Sequence, residues 1–195
     1  MKEHDINSLN NFVAGWYMDD TSICDKIIEF HKNDNHVELG KIGVLVKTDV
    51  KDSYDTALDH NKELYFKYTT HIKEILDLYS AKFDPFVQDC HFFGIAEKIN
   101  VQRYLPGGGF KRWHTERNTA TEPACHRHLV FMTYLNDVSD DGETEFYYQK
   151  MKVKPEKGLT LMWGVDWTFT HRGVVSSTQE KYVTTGWLSF IKEKL

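Results

Sequence analysis

Two short motifs pair a histidine with a carboxylate two residues further along the chain, and each has the donors of a metal site. They are His36-Val37-Glu38 and His114-Thr115-Glu116. With ten histidines and 29 acidic residues in 195 positions, about 1.5 such pairs are expected by chance, so the motif alone has little weight. Whether either pair binds a metal therefore has to be judged from the secondary structure expected around it.

The second motif lies in a segment that we expect to be extended. In an extended chain, residues i and i+2 point to the same face, so His114 and Glu116 can approach one ion. A helix does not allow this at the same spacing. His36 lies in a region between a helix and a loop, and we interpret it as part of an ordinary surface pair.

A third ligand has to come from another strand. His171 is the candidate, because it stands at the start of a β-rich run in Thr170-His171-Arg172-Gly173. Two histidines and one carboxylate on one side of an ion leave coordination positions open, which is typical of a non-haem Fe(II) centre that binds oxygen. The sequence therefore predicts a metal site at His114, Glu116 and His171.

The last predicted strand puts a cation on the same face as a hydroxyl and an indole. Its alternation places Lys181, Thr185 and Trp187 together. Tyr134 is a phenol on an otherwise apolar wall, and buried phenols usually have a partner. A small dicarboxylate bound by Lys181, Thr185 and Tyr134 would satisfy all three groups. The alternative is an exposed lysine at a strand end and a core tyrosine bonded to backbone.

The elements that position these residues change character near Pro85. Before it, Asp19, Asp20 and Thr21 can cap a helix that stops before Asn33. A longer helix follows and should end by Asp84-Pro85. Its apolar and aromatic stripe, which we interpret as core packing, has helical spacing: Tyr65, Tyr68, Ile72, Ile75 and Tyr79.

After Pro85 the chain has short β-rich runs separated by turn residues. Many short strands after a helical start predict an α+β fold, in which helices brace an antiparallel sandwich or barrel. The predicted strands are 98–105, 129–135, 144–148, 159–163, 169–175 and 181–191.

Length and composition bound the class of protein. A chain of 195 residues with 41% apolar residues has enough material for one globular domain. A formal net charge of −5 argues against a broadly basic surface for nucleic acid. Three cysteines without a Cys-x-x-Cys pair suggest no disulfide framework. Neither a signal peptide nor a membrane span is visible, so we expect a cytoplasmic protein without a membrane partner.

The stretch from Val101 to Ile191 resembles the catalytic core of Fe(II)- and 2-oxoglutarate-dependent dioxygenases, particularly the prolyl 4-hydroxylase branch. The resemblance implies a double-stranded β-helix, or jelly roll, in a single domain over 1–195, with 1–90 as mainly helical support and 91–195 as the catalytic core. It is carried by seven segments in order: Arg103-Tyr104-Leu105-Pro106-Gly107, His114-Thr115-Glu116, Tyr134-Leu135-Asn136, Gly142-Glu143-Thr144-Glu145-Phe146, Lys154-Pro155-Glu156-Lys157-Gly158, His171-Arg172-Gly173, and Lys181-Tyr182 through Trp187.

The resemblance also implies roles for individual residues. Fe(II) would be bound by His114, Glu116 and His171. The family's usual carboxylate ligand is aspartate, and the extra methylene of Glu116 moves the carboxylate by about 1.5 Å. The resemblance implies 2-oxoglutarate and O2 as co-substrates and ascorbate as a reductant. The residues expected to bind 2-oxoglutarate, with Trp187 as a wall, are Tyr104, Tyr134, Lys181, Thr185 and Trp187.

The reaction implied by the resemblance is hydroxylation of a prolyl residue in a peptide or protein, with release of succinate and CO2. Arg127 and Phe110 are the candidate substrate contacts. Two alternatives stay open: an oxygenase acting on a small molecule or on alkylated nucleic acid, and a jelly-roll binding module without catalysis. Nucleic acid is the less expected partner, because such enzymes usually need a base-reading lid and a basic groove.

Overall fold

The computed structural model describes residues 1–5, 11–83 and 92–191. Two α-helices, α1 (Ser22–Asn33) and α2 (Lys62–Phe83), lie in the first half. Short 3₁₀ helices occupy Leu58–His60, Ala124–His126 and Trp167–Phe169. The strands are β1 Ala14–Tyr17, β2 Glu38–Leu39, β3 Lys41–Ile42, β4 Leu45–Val46, β5 Lys51–Asp52, β6 Tyr54–Ala57, β7 Phe93–Ile95, β8 Asn100–Tyr104, β9 Gly109–Phe110, β10 Arg127–Tyr134, β11 Thr144–Phe146, β12 Met151–Val153, β13 Leu159–Gly164, β14 His171–Gly173 and β15 Lys181–Phe190.

The strands form one large antiparallel sheet and several small ones. The order in the large sheet is β1-β13-β10-β15-β8-β6-β2, with β7 paired to β15. A second sheet has the order β12-β11-β14, and β3 pairs with β4 and β5 with β9. The predicted α+β class is confirmed, since two helices accompany mostly antiparallel strands. No helix within the described ranges is long and apolar enough to cross a membrane.

Helix α1 begins where the sequence predicts and ends at Asn33. Its first turn is closed by Asp20, whose carboxylate accepts hydrogen bonds from the backbone N–H (2.8 Å) and the hydroxyl (2.9 Å) of Ser22. The anion also suits the partial positive charge at a helix N-terminus. Cys24, Ile27 and His31 form the buried face of the helix.

Helix α2 packs its tyrosine and isoleucine stripe into the core, as predicted. Tyr68, Ile72 and Ile75 are almost fully buried. The Tyr68 hydroxyl lies 2.7 Å from Thr133 Oγ1 and 2.6 Å from Thr184 Oγ1, which ties α2 to strands β10 and β15. The predicted end of this helix, Asp84-Pro85, lies outside the described residues, as does Cys90.

Each predicted strand run contains an observed strand, but the chain has further strands that the sequence analysis did not predict. They include β1 to β6 in the first half, which is therefore not only helical. Strands of two residues, such as β2 and β5, are too short to show the alternation from which strands are predicted.

The large sheet separates two clusters of buried side chains. Leu129 and Phe131 of β10 face the helices, whereas Val130, Met132 and Tyr134 face the second sheet. Strand β15 divides in the same way, with Tyr182 on the helix side and Val183 on the opposite side. Odd-numbered residues of β15 therefore point away from the helices, because side chains alternate along a strand.

Candidate metal centre and cavity

The side chains of His114, Glu116 and His171 converge on one point. One ligand atom from each residue lies within 4.8 Å of the others. The Oε1 atom of Glu116 is 3.4 Å from Nε2 of His171 and 3.6 Å from Nε2 of His114. Backbone pairing brings the histidines together, since each donates its N–H to the carbonyl of the other at 3.0 Å.

Both imidazoles are oriented in the same way. Nδ1 of His114 lies 2.9 Å from the carbonyl oxygen of Arg112, and Nδ1 of His171 lies 2.9 Å from that of Phe169. A carbonyl oxygen only accepts, so each Nδ1 carries the proton and each Nε2 presents a lone pair. In this form the Nε2 lone pairs of both histidines point toward Glu116, so all three side chains present donor atoms to the same point, as metal binding requires.

The charge state of the cluster also suits a cation. Burial opposes ionisation of Glu116, but His114 and His171, when they carry a second proton on Nε2, donate hydrogen bonds to the carboxylate and attract it, which holds the pKa of Glu116 well below the usual range. Burial, followed by the neighbouring His171, lowers the pKa of His114. A carboxylate and a neutral imidazole are the forms that bind metals.

The second carboxylate oxygen of Glu116, Oε2, accepts a hydrogen bond on the side away from the two histidines. Trp187 Nε1 donates to Glu116 Oε2 at 2.9 Å. The guanidinium carbon of Arg127 lies 3.6 Å from the centre of the Trp187 ring, and Arg127 Nη1 donates to the Glu116 carbonyl at 2.9 Å. Glu97 accepts two hydrogen bonds from Arg127, at 2.8 and 2.6 Å. Arg127 is thus placed as a brace for the metal ligand. It also lines the cavity, and its contact with substrate stays a prediction.

The cluster opens into a cavity of about 720 Å³. Strand β15 lines it with Lys181, Val183, Thr185 and Trp187, which all lie on the face predicted from alternation. Strand β8 contributes three more residues at the same spacing, Asn100, Gln102 and Tyr104. Tyr104 is the predicted member of this group. Asn100 and Gln102 were not predicted, although the alternation of β8 places them on the same face as Tyr104.

Lys181 is a buried cation that no described carboxylate contacts directly, although the charge of Glu143 attracts it. Its Nζ donates to the carbonyl oxygen of Gly142 at 2.8 Å and lies 5.2 Å from the centre of the Tyr104 ring. Within the described ranges it forms no ion pair, and burial lowers its pKa to about 8. Lys51, the other buried lysine at the cavity wall, is neutralised by Asp55 at 2.5 Å. Lys181 therefore has donors left for an anion.

Tyr134 is not among the described residues that line the cavity, and its contact with the dicarboxylate stays a prediction. Its hydroxyl lies 2.7 Å from Thr144 Oγ1 and 3.1 Å from the carbonyl of Val153. The side chain is fully buried. In this structure the hydroxyl thus bonds to one side chain and one backbone carbonyl, and Thr144, which was not predicted, lines the cavity.

Phe110 lies against the metal cluster. Its ring stacks on the imidazole of His114, with centroids 3.7 Å apart and planes 7° from parallel. Phe110 also lines the cavity. The predicted substrate contact is therefore at the cavity wall, where the ring also restricts rotation of His114.

A family model described as the 2OG-Fe(II) oxygenase superfamily matches residues 99–189. This segment contains every residue of the metal cluster and the β8 and β15 walls of the cavity. No curated protein sequence matches the chain significantly.

Solved structures of prolyl hydroxylases share the fold at low sequence identity. A viral collagen prolyl hydroxylase of Paramecium Bursaria Chlorella virus-1, in complex with 2OG, is 20% identical with a TM-score of 0.68, covering 92% of this chain and 97% of that chain. A Pseudomonas putida prolyl-4-hydroxylase is 14% identical with a TM-score of 0.73 and coverages of 92% and 94%. A Trichoplax adhaerens prolyl hydroxylase, in complex with a hypoxia inducible factor peptide fragment, is 14% identical with a TM-score of 0.73 and coverages of 93% and 84%.

Proposed function

Residues 99–189 belong to the 2OG-Fe(II) oxygenase superfamily, and from this premise we propose that the chain is an Fe(II)- and 2-oxoglutarate-dependent dioxygenase that hydroxylates a prolyl residue of a peptide or protein. The observation that carries the proposal is one cavity that holds both a metal-binding triad and a buried lysine that forms no ion pair with any described residue. Such a cavity provides for a cation and for an anionic co-substrate side by side.

The residues present fit Fe(II). His114, Glu116 and His171 would hold the ion through two imidazole nitrogens and one carboxylate oxygen, a set that leaves positions open for other ligands. When bound, the iron would supply oxygen activation and removal of a substrate hydrogen, with decarboxylation of 2-oxoglutarate to succinate. Ascorbate, as a reductant, belongs to the same proposal.

The side chains of the cavity would orient 2-oxoglutarate and neutralise its negative charge. Lys181 would bind the distal carboxylate of 2-oxoglutarate. Its ammonium is buried and has one carbonyl partner, and a buried ammonium interacts more strongly with a carboxylate than an exposed ammonium does. Thr185 lies on the same face of β15 and offers a hydroxyl. Tyr104 lies below Lys181, with its hydroxyl donated to Gln102 at 2.9 Å, and would form the wall of this subsite.

The sheets support a jelly-roll core. The large sheet and the β12-β11-β14 sheet pack across the buried cluster that contains Val130, Met132 and Phe146. We propose that these sheets form a double-stranded β-helix and that 1–195 is a single domain. In it, 1–90 supports the core 91–195 through α1 and α2, which cover one face of the large sheet, and through β1, β2 and β6, which extend that sheet.

A peptide substrate is supported by the cavity and by the structural likeness. The lining includes Lys41, Ile42 and Gly43, of which the first two form β3 and the third belongs to the turn before β4. The cavity therefore extends from the metal cluster to a hairpin near the surface, which is more room than a small dicarboxylate fills. Among structures of similar fold, one is a prolyl hydroxylase in complex with a peptide.

Anaerobic titration followed by turnover tests this proposal. Calorimetry should show binding of Fe(II) and then of 2-oxoglutarate to the chain, and both should be lost in His171→Ala but kept in His126→Ala, a histidine outside the cavity. Succinate formation should then be stimulated by proline-rich peptides, which gain one oxygen atom by mass spectrometry. Stimulation by free proline or methylated oligonucleotides instead would overturn the substrate class, and absence of binding would indicate a module without catalysis.

A further inference from the structure

A second cluster of metal-ligating side chains lies outside the cavity. It joins Asp34, which follows α1, His36 in the turn before β2, and His60 at the end of the 3₁₀ helix before α2. One ligand atom of each lies within 4.8 Å of the others. None of the three lines the cavity, so this cluster is separate from the proposed iron site.

Both histidines direct the same nitrogen at one carboxylate. Nδ1 of His36 lies 2.8 Å from Oδ1 of Asp34, and Nδ1 of His60 lies 3.1 Å from Oδ2. The two rings are 4.6 Å apart between centroids. The sequence motif suggested Glu38 as the carboxylate beside His36, but Glu38 bonds to Lys41 at 2.7 Å, and Asp34 takes its place.

The side chain of Asp34 is buried and fixed by hydrogen bonds. It is only 6% exposed, and the hydroxyl of Thr56 and the backbone N–H of His36 also donate to it. Burial disfavours the ionised form, but the hydrogen bonds from Thr56, His60 and His36 outweigh it and hold the pKa of Asp34 well below its usual value. The carboxylate is thus fixed in place and charged beside two imidazoles.

We propose that Asp34, His36 and His60 form a second divalent-metal site, selective for a borderline cation such as Zn²⁺. Two imidazole nitrogens and a carboxylate oxygen suit zinc, whereas Mg²⁺ and Ca²⁺ prefer oxygen ligands. Bonds of about 2.0 to 2.1 Å in a tetrahedron separate neighbouring donors by about 3.3 Å. The observed separations are 2.8 Å from His36 Nδ1 to Oδ1 and 3.1 Å from His60 Nδ1 to Oδ2. Each nitrogen therefore faces its own oxygen of Asp34 and needs only a small outward movement to admit an ion.

The proton balance is simple. In the neutral form, which is the form that binds metals, each imidazole carries its proton on Nδ1 toward Asp34, and the ion takes that position. The proton of each ring transfers through solvent to Nε2, so the rings stay neutral and bind through Nδ1. His36, with 70% of its side chain exposed, leaves the open side of the ion to water as the fourth ligand.

An ion in this position would join three segments that meet near the edge of the large sheet. Asp34 ends the α1 segment, His36 precedes β2, and His60 precedes α2. The ion would bind the folded chain and not the unfolded one, in which these residues are separated, so it would raise stability by mass action. The site would be structural and independent of the oxygenase proposal.

Zinc titration in a chain with the cavity site disabled tests the proposal. In His114→Ala/His171→Ala, calorimetry should show one equivalent of Zn²⁺. Adding His60→Ala or His36→Ala should weaken this binding by at least about 100-fold, more than loss of an outer-shell partner costs. The matched control is His126→Ala, since His126 also lies 3.2 Å from a carboxylate, that of Glu122, and its removal should have no effect.

Stability in the otherwise unaltered chain gives a second measurement. There, His60→Ala should lower bound zinc from two equivalents to one, and the rise in melting temperature caused by this second equivalent should disappear. Two results would overturn the second site. One is zinc binding that is unchanged in each of the variants His36→Ala and His60→Ala, and the other is no zinc binding to His114→Ala/His171→Ala. Neither result bears on iron or 2-oxoglutarate, which are tested separately through His171.

Discussion

The indole of Trp187 holds the carboxylate of Glu116 from the side opposite the two histidines. Its Nε1 donates to Oε2 at 2.9 Å, while Oε1 lies 3.4 Å from His171 Nε2. The two oxygens thus have different tasks, one fixed by the protein and the other free for a cation. This division shows how a glutamate, longer by one methylene than an aspartate, is accommodated beside the histidines.

Trp187→Phe should weaken Fe(II) binding by about tenfold to 100-fold, the range expected when a partner of a metal ligand is lost. The phenyl ring keeps most of the packing against Arg127, so the melting temperature without metal should change little. Anaerobic titration of Fe(II) measures the effect. Trp167→Phe is the control, because Trp167 is 66% exposed and does not line the cavity; an equal effect in both variants would contradict a role for the Trp187 hydrogen bond.

Glu116→Asp should also lower iron retention. The shorter side chain withdraws its oxygens by about 1.5 Å from both Trp187 and the imidazoles, because the backbone of Glu116 is fixed by Arg127, which donates to its carbonyl at 2.9 Å. Iron content after gel filtration, measured against the unaltered chain, tests this expectation. Full iron retention would mean that the backbone at position 116 can move to suit either length.

Alternation along strands was the most informative signal in the sequence. It placed Lys181, Thr185 and Trp187 on one face of β15, and all three line the cavity. For Tyr134 the same argument is less informative, because alternation gives the face of a side chain but not its depth. Tyr134 faces the correct side, yet Thr144 lies between it and the cavity and accounts for its hydroxyl.

The cluster of Asp34, His36 and His60 could not be predicted from local sequence patterns, because it depends on contacts between distant parts of the chain. Asp34 and His60 are 26 residues apart, and their contact depends on how α1, β6 and the 3₁₀ helix meet. No motif of fixed spacing predicts such a meeting. His36 and Glu38 have the spacing of a strand pair, but only Glu38 belongs to a strand. His36 lies in the turn before it, so strand alternation does not bring the two side chains together.

Lys181→Met should raise the 2-oxoglutarate concentration needed for half-maximal succinate formation by at least about tenfold, equivalent to about 1.4 kcal/mol. The reason is the loss of the buried ammonium from the wall where the distal carboxylate would bind. Lys152→Met, an exposed lysine on β12, is the control and should leave this concentration unchanged. An unchanged requirement in Lys181→Met would remove the co-substrate assignment while leaving the metal site intact.

The same lysine should make stability depend on pH in the chain without ligand. Burial lowers the pKa of Lys181 to about 8, whereas an unfolded lysine titrates near 10.4. Between these values the unfolded chain binds more protons at this site than the folded chain, so the contribution of Lys181 to stability rises with pH from about 8 to 10 and is constant below that window. At 1.36 kcal/mol per pKa unit the full change is on the order of 3 kcal/mol.

Lys181→Met removes this titration and provides the reference. The free energy of unfolding, measured in denaturant at pH 7, 8, 9 and 10 without metal or 2-oxoglutarate, should therefore increase in the unaltered chain relative to the methionine variant as pH rises. Other titrating groups contribute to both chains and cancel in the difference. A difference that stays flat from pH 7 to 10 would mean that Lys181 keeps its ordinary pKa in the folded chain, so that the cavity wall is wetter than its burial indicates.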